Sequence, residues 1–150
     1  MTSTAARRAL TAPEILAAEE TTPHFVIVSF GYRHGIPPRA DVTLDLRRRL
    51  RNPADDKALR QMTGHDAAVR RHVLAATRGS MRLVLNAARL LAALRADTAA
   101  QPEPVVAAYG CAGGRHRSVV LAESTARRLR VLGYRVEVEH RDVHRPVITG

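Results

Sequence analysis

Two rhythms of apolar residues alternate along this chain. HFVIVSF (24–30) is an unbroken apolar run, rich in β-branched residues and closed by Gly31, which predicts a buried strand. DVTLDLR (41–47) alternates Val42, Leu44 and Leu46 with polar partners, which predicts a second strand with one wet or site-facing side. VVAAYG (105–110) predicts a third strand and YRVEVEHR (134–141) a fourth, alternating one. Between the strands the period becomes helical. Residues 79–97 place Leu83, Ala87, Leu90, Leu91 and Leu94 on one face, with Ser80 as N-cap. From Arg115 to about Val131, the residues Val119, Ala122, Ala126 and Leu129 fall inward, and Gly133 follows the end. A shorter helix opens at Asp66 and carries Val69, Val73 and Leu74. Another runs to about Glu20 behind a capping box formed by Thr11 and Glu14.

The connecting segments carry turn chemistry. GYRHGIPPRA (31–40) holds two glycines and two prolines and reads as a loop. Residues 47–66 are irregular, with a short helix after Pro53, and QPEP (101–104) breaks the chain before the third strand. Residues 1–10 are small and basic and read as a frayed end. Strand, loop, helix and strand at the C-terminus form a βαβ unit, so strands 105–109 and 134–140 should be parallel. The sequence shows no internal repeat and no domain-sized linker. The expected fold is one α/β domain over residues 23–150, behind an extension of residues 1–22. Its central sheet is mostly parallel, of about four strands flanked by helices, with an anion-binding loop at a strand-to-helix junction.

Charge narrows the function. The formal net charge is +10, and Lys57 is the only lysine, so the basic character is carried by arginine. Arginine grips phosphate or carboxylate with a planar fork, where lysine offers a point charge. Such a surface favours polyanions or anionic metabolites, although alanine and arginine are enriched together along the chain, which is also the mark of a composition bias. Aromatic residues are only 3%, which leaves few platforms (Phe25, Phe30, Tyr32, Tyr109, Tyr134) for stacking on bases. One cysteine excludes a disulfide framework within the chain and a cysteine-rich zinc site. No apolar run approaches the ~20 residues that span a bilayer, and the first residues lack a secretory apolar core. The expected location is cytoplasmic, with no membrane partner.

YGCAGGRHRSVV (109–120) concentrates the chemistry. It lies where the third strand feeds a helix, at the sheet edge where α/β proteins usually hold ligands. Helix N-terminal N–H groups and the helix dipole favour an anion there. Gly113 and Gly114 let the backbone turn through positive φ and approach that anion closely. Arg117 can fold back with its fork and Ser118 can donate a hydroxyl. The same letters spell C-x-x-G-x-x-R-S, which looks like the phosphate loop of cysteine-dependent phosphatases. On that alternative, Cys111 is the nucleophile, with a thiol acidified by the helix N-terminus and Arg117. Asp41, Asp45 or Asp142 would then be the acid for the leaving group. Gly110, however, stands where the common phosphatase pattern has histidine.

A longer match bears on the choice. SFGYRHGIPPRADVTLDLR, NP, LRQMTGHDAAV, YGCAGGRHRSVVLAE and VEVEHRD follow in the same order as in the C-terminal domain of the RapZ (RNase adapter protein) family, which the chain resembles from about Phe25 to Asp142. Full-length members carry a P-loop nucleotide-binding domain ahead of this one. No G-x-x-x-x-G-K-[ST] occurs here, so that chemistry does not carry over, and the chain reads as a stand-alone C-terminal domain. The resemblance implies a regulatory sensor of glucosamine-6-phosphate with an RNA-binding surface. Cys111, Gly113, Gly114, His116, Arg117 and Ser118 match the family's phosphate loop, and Ala112 replaces its usual threonine. Arg33 and His34, Asp45 and Arg47, and His140 and Arg141 match further family positions. RRRLRNPA carries one extra residue beside the family's pattern, and Ala54 stands where histidine or an aromatic residue is common.

The candidate phosphate-site residues are therefore Cys111, Ala112, Gly113, Gly114, Arg115, His116, Arg117 and Ser118, with Arg33, His34, Asp45 and Arg47. The candidate RNA contacts are Arg33, Arg48, Arg49, Arg51, His140 and Arg141. Each has a plain structural alternative: His34 a solvated loop residue, Asp45 a salt bridge to Arg47, His140 and Arg141 an exposed strand end, and residues 47–51 a solvated run. His65, His72 and His144 are scattered in sequence, so no metal is assigned, and no cofactor is expected. The expected partners are a phosphorylated sugar or similar metabolite and RNA, with a second copy of the chain or a separate P-loop protein as further options.

Overall fold

The computed structural model describes residues 11–97 and 103–147. The frayed end expected for residues 1–10 and the first half of the break at 101–104 lie outside the described residues. Four strands form one sheet: β1 (Phe25–Gly31), β2 (Val42–Asp45), β3 (Val105–Cys111) and β4 (Val136–His140). Their order is β2-β3-β1-β4, and every pair is parallel. The two continuous apolar runs became the two central strands, and both are buried along nearly their whole length. The two alternating segments became the edges, with every second residue exposed. A central parallel strand is covered on both faces, whereas an edge strand keeps a wet side.

Helices α1 (Ala12–Thr21), α2 (Ala67–Leu74), α3 (Ser80–Asp97) and α4 (Arg117–Val131) complete the fold. The main core brings Phe25 and Ile27 of β1 together with Val105, Ala107 and Tyr109 of β3. Against them pack Val84, Ala88 and Leu91 of α3 and Leu121, Ala122, Ala126 and Leu129 of α4. A smaller cluster joins Val69 and Val73 of α2 to Leu59 and Val120. Leu50 touches both clusters, and among the described residues it is the one non-glycine at positive φ, 60°. A left-handed residue costs roughly 1–2 kcal/mol, which the packing of its side chain helps to offset.

Several local expectations need correction. The fourth helix starts at Arg117, not Arg115, because His116 has φ −117° and ψ −86°, outside helical values. Ser80 is inside α3, and its hydroxyl donates to the Leu74 carbonyl of the preceding helix instead of capping its own. The buried stripe of α3 is Val84, Ala87, Ala88 and Leu91, while Leu90 is exposed. α3 packs on both β3 and α4, so Val84 and Ala88 join the predicted Ala87 and Leu91 in the core, with Leu83 and Leu94 packed half-buried against it. The capping box is present at least in its return arm: Glu14 accepts from both the amide and the hydroxyl of Thr11, at 2.7 and 2.8 Å.

Candidate functional site

The carboxyl ends of the strands converge on one place. Gly31 pairs with Cys111 across β1 and β3, and Asp45 pairs with Gly110 across β2 and β3. The Leu46 amide then donates to the Gly110 carbonyl at 2.7 Å. The loop after β3 folds back over the end of β1 so tightly that only glycine fits. A Cβ on Gly114, whose φ is +71°, would lie 2.6 Å from the Gly31 nitrogen and 2.8 Å from Asp142 Cβ. The positive φ expected of both loop glycines holds for Gly114 alone. Gly113 is needed for no turn, and a Cβ there would meet nothing within 4 Å.

Beneath this crossing, Asp142 is fully buried and its Oδ2 accepts from the Gly31 amide at 2.8 Å. Arg141 and Arg145 flank its carboxylate, at 2.8 and 2.9 Å. Arg141 also donates to the carbonyls of Ile36 and Gly31, so its fork serves the fold.

A cavity of about 400 Å³ opens beside the loop, a size typical of small-metabolite sites. Cys111, Ala112, Gly113, Arg115, His116 and Arg117 line it from the loop, and Arg33 from the segment after β1. Asn52, Ala54, Asp55, Arg60 and Val147 complete the wall. These last five were not singled out as site residues from the sequence. Asn52 and Arg60 lie in the NP and LRQMTG blocks, whose only visible meaning there was resemblance, and Ala54 was noted as a departure from the family, whereas Asp55 and Val147 lie in no matched block.

The loop's basic side chains do something the sequence did not suggest: they knit the walls together. Arg115 donates to the carbonyls of Arg145 at 2.8 Å and Gln61 at 2.7 Å. Arg117, almost wholly buried, donates from one terminal nitrogen to the carbonyls of Leu46, Arg47 and Arg49, at 3.0 to 3.2 Å. His116 contacts the Met62 carbonyl through Nε2 at 2.9 Å. A carbonyl only accepts, so that nitrogen carries the proton. Burial holds the His116 pKa below its usual value, so the ring is neutral near pH 7. The Nε atoms of Arg115 and Arg117 are buried without a partner among the described residues. An orphaned buried donor is an open slot for an acceptor.

Cys111 is buried, and its Sγ lies 3.2 Å from Ser118 Oγ. The acids proposed for a cysteine phosphatase are all engaged. Asp41 accepts from the Val106 amide at 2.7 Å, near the opposite end of β3 from the loop. Asp142 is the buried brace already described. Asp45 forms a two-pronged pair with Arg47, with contacts of 2.6 to 3.0 Å. Arg47's hydrogen bonds hold the Asp45 carboxyl below the usual range, which leaves it ionised rather than ready to give a proton.

Arg47 also lies over the Tyr32 ring, 3.9 Å from its centroid. Neither Asp45, Arg47 nor His34 lines the cavity. Arg48, Arg49 and Arg51 are exposed just beyond β2. His140 points instead to Ser29 and Glu123.

Comparison with known proteins identifies the family. The profile of the RapZ C-terminal domain matches residues 23–144. The chain belongs to the RapZ C-terminal domain family. Among curated relatives, a "Nucleotide-binding protein" of Thermobifida fusca is 41% identical over 129 residues, which is 85% of this chain and 43% of that protein. Proteins of the same name from Moorella thermoacetica and Syntrophomonas wolfei are each 41% identical, over 83% and 78% of this chain. The RapZ-type domain thus spans about two-fifths of the length of these relatives (43, 41 and 40%). No helix among the described residues is long and apolar enough to cross a membrane.

Proposed function

We propose that the cavity at the carboxyl edge of the sheet binds a phosphorylated amino sugar, of the glucosamine-6-phosphate class, and that the domain acts as a regulatory sensor. The supporting observation is the composition of the wall. Arg33, Arg60, Arg115 and Arg117 surround the backbone of residues 111–113, and two of these arginines keep buried donors without partners. That lining suits a phosphate. A single carboxylate, Asp55, sits in the same wall. Its Oδ1 accepts from Asn52 Nδ2 at 3.0 Å, and its negative charge suits an ammonium group on the same ligand. A sugar phosphate without an amine lacks that second anchor.

Cys111 lines this pocket as a buried wall residue. Its sulfur lies 3.2 Å from the Ser118 hydroxyl, while each aspartate proposed as proton donor has a partner of its own. We assign the exposed arginines beyond β2, at 48, 49 and 51, together with Arg33, to contacts with an RNA backbone in an adapter role.

Calorimetry with glucosamine 6-phosphate, glucose 6-phosphate, glucosamine and inorganic phosphate tests the reading. The amino sugar phosphate should bind saturably and best. Arg33→Ala should weaken it at least about tenfold, the loss of one charge-assisted bond. Asp55→Asn should erase the preference over glucose 6-phosphate. Absence of saturable binding by any phosphate would refute the proposal. Turnover of an aryl phosphate that vanishes in Cys111→Ser would replace it with catalysis.

A further inference from the structure

Away from the cavity, three side chains from three different segments meet. His65 lies in the loop before α2, Glu123 on α4 and His140 at the end of β4. One ligand-type atom from each lies within 4.8 Å of the others. The His65 and His140 rings meet edge to face at 81°, with centroids 4.8 Å apart. His140 is held from both sides, its Nδ1 2.7 Å from Ser29 Oγ and its Nε2 2.9 Å from Glu123 Oε1. Ser29 is fully buried on β1 and stands directly across the sheet from His140.

Two neutral tautomers of His140 can be set against these neighbours. In one, Nε2–H donates to Glu123 and Nδ1 accepts from the serine. In the other, Nδ1–H donates to Ser29 Oγ, and the Nε2 lone pair faces the carboxylate. As it stands that second arrangement sets a lone pair against a carboxylate, and a cation at Nε2 relieves it, either a proton or a metal ion. The same arrangement is also the usual build of a metal-ligating histidine, whose far nitrogen donates to a fixed oxygen that sets the tautomer.

We propose that His65, Glu123 and His140 form a binding site for a divalent transition-metal ion of the zinc type, with the remaining coordination position open to solvent. Two imidazoles and one carboxylate are a donor set suited to zinc, with metal–ligand distances of about 2.0–2.2 Å. Ligand atoms already within 4.8 Å reach that spacing by small side-chain rotations. His65 is exposed, which gives the ion a way in, and Asp66 beside it contributes negative charge. His144, whose charge also reaches His65, is exposed on the solvent side. The net charge of +10 does not favour cations at long range, but such fields are screened over ~10 Å at 0.1 M salt, and coordination is local.

The site also touches the cavity wall. The amide of Gly64, next to His65, donates to the Arg115 carbonyl at 2.8 Å, and the Met62 carbonyl contacts His116. A metal at His65 therefore clamps the loop that supports the cavity.

Chelator-treated protein titrated with Zn²⁺ against a chromophoric competitor tests the assignment, with Co²⁺ absorption as a second readout. One ion per chain is expected, with micromolar or tighter affinity. His65→Ala and Glu123→Gln should each weaken binding more than tenfold and abolish the cobalt ligand-field bands. The glutamine still hydrogen-bonds His140, so a merely structural pair would not register that change. Ser29→Ala should weaken binding about tenfold, the effect of losing an outer-shell partner. Cys111→Ser should leave it unchanged. The proposal is overturned by wild-type protein that takes up no stoichiometric Zn²⁺. It is also overturned by affinity that survives both His65→Ala and Glu123→Gln, or that is lost in Cys111→Ser.

Discussion

Arg117 and Gly114 show how two residues of one loop do different work. Arg117 holds three carbonyls of the segment after β2, which fixes residues 46–49 against the loop. Its substitution would loosen the wall as well as the ligand contact, so loss of binding in Arg117→Ala would not by itself mark a ligand contact. Gly114 is required by the backbone itself. Gly114→Ala forces a Cβ to within 2.6 Å of the Gly31 nitrogen at a φ of +71°. The left-handed penalty alone is roughly 1–2 kcal/mol, and overpacking adds roughly 1–3. Urea denaturation should show a loss of at least about 2 kcal/mol. A loss below about 0.5 kcal/mol would mean that the crossing of the β3 loop over β1 is not tight. The motif C-x-x-G-x-x-R-S marked both residues from the sequence, but not these roles. Carbonyl partners 68 to 71 positions away leave no local signal.

At the level of elements, the strands were the most legible part, because a buried parallel strand and a half-wet edge strand have different apolar rhythms. Helices α2 and α4 also followed their predicted faces: Val69 and Val73 are buried in one, and Val119, Ala122, Ala126 and Leu129 in the other. The face of α3 followed except at Leu90, which is exposed while Val84 and Ala88 are buried. A helix touching both a sheet and another helix buries a stripe shifted and widened from the one that periodicity alone selects.

The start of α4 was misplaced by the turn at His116, whose φ and ψ lie outside helical values while its ring is buried against the Met62 carbonyl. That burial has a consequence in pH. The folded-state pKa of His116 lies below its ordinary value, whereas the unfolded ring titrates near ~6.5. Between those two values the unfolded chain binds more protons, so stability rises with pH there. The contribution is complete above about pH 6.5 and is lost as pH falls through the lower, folded value. Thermal melts should therefore drop as pH is lowered below about 6.5. They should drop less in His116→Gln, whose amide can still donate to Met62. Equal slopes in the two proteins would assign the acid sensitivity to other groups, such as His65, whose pKa burial also lowers.

Across the whole molecule, the resemblance carried the functional reading further than pattern alone could. Composition pointed to anions in general. Five ordered blocks pointed to one family, and the fold brought most of those blocks to one end of the sheet. The exposed arginines beyond β2 give that end a basic rim. If RNA binds there through its backbone, affinity should fall steeply with salt, as released counterions require. Alanine at Arg48, Arg49 and Arg51 together should flatten the slope of log K against log salt. A slope unchanged by that triple variant would place RNA elsewhere or exclude it.

The central claim, a phosphate-bearing amino sugar in the cavity beside the β3 loop, is tested most directly by amide chemical shifts. In ¹⁵N-labelled protein titrated with glucosamine 6-phosphate, the resonances of Ala112, Gly113 and Gly114 should move saturably, with Arg33 and Arg60 following. Glucosamine alone should leave them in place. Shifts absent from residues 111–117, or equal for sugar and sugar phosphate, would contradict the account.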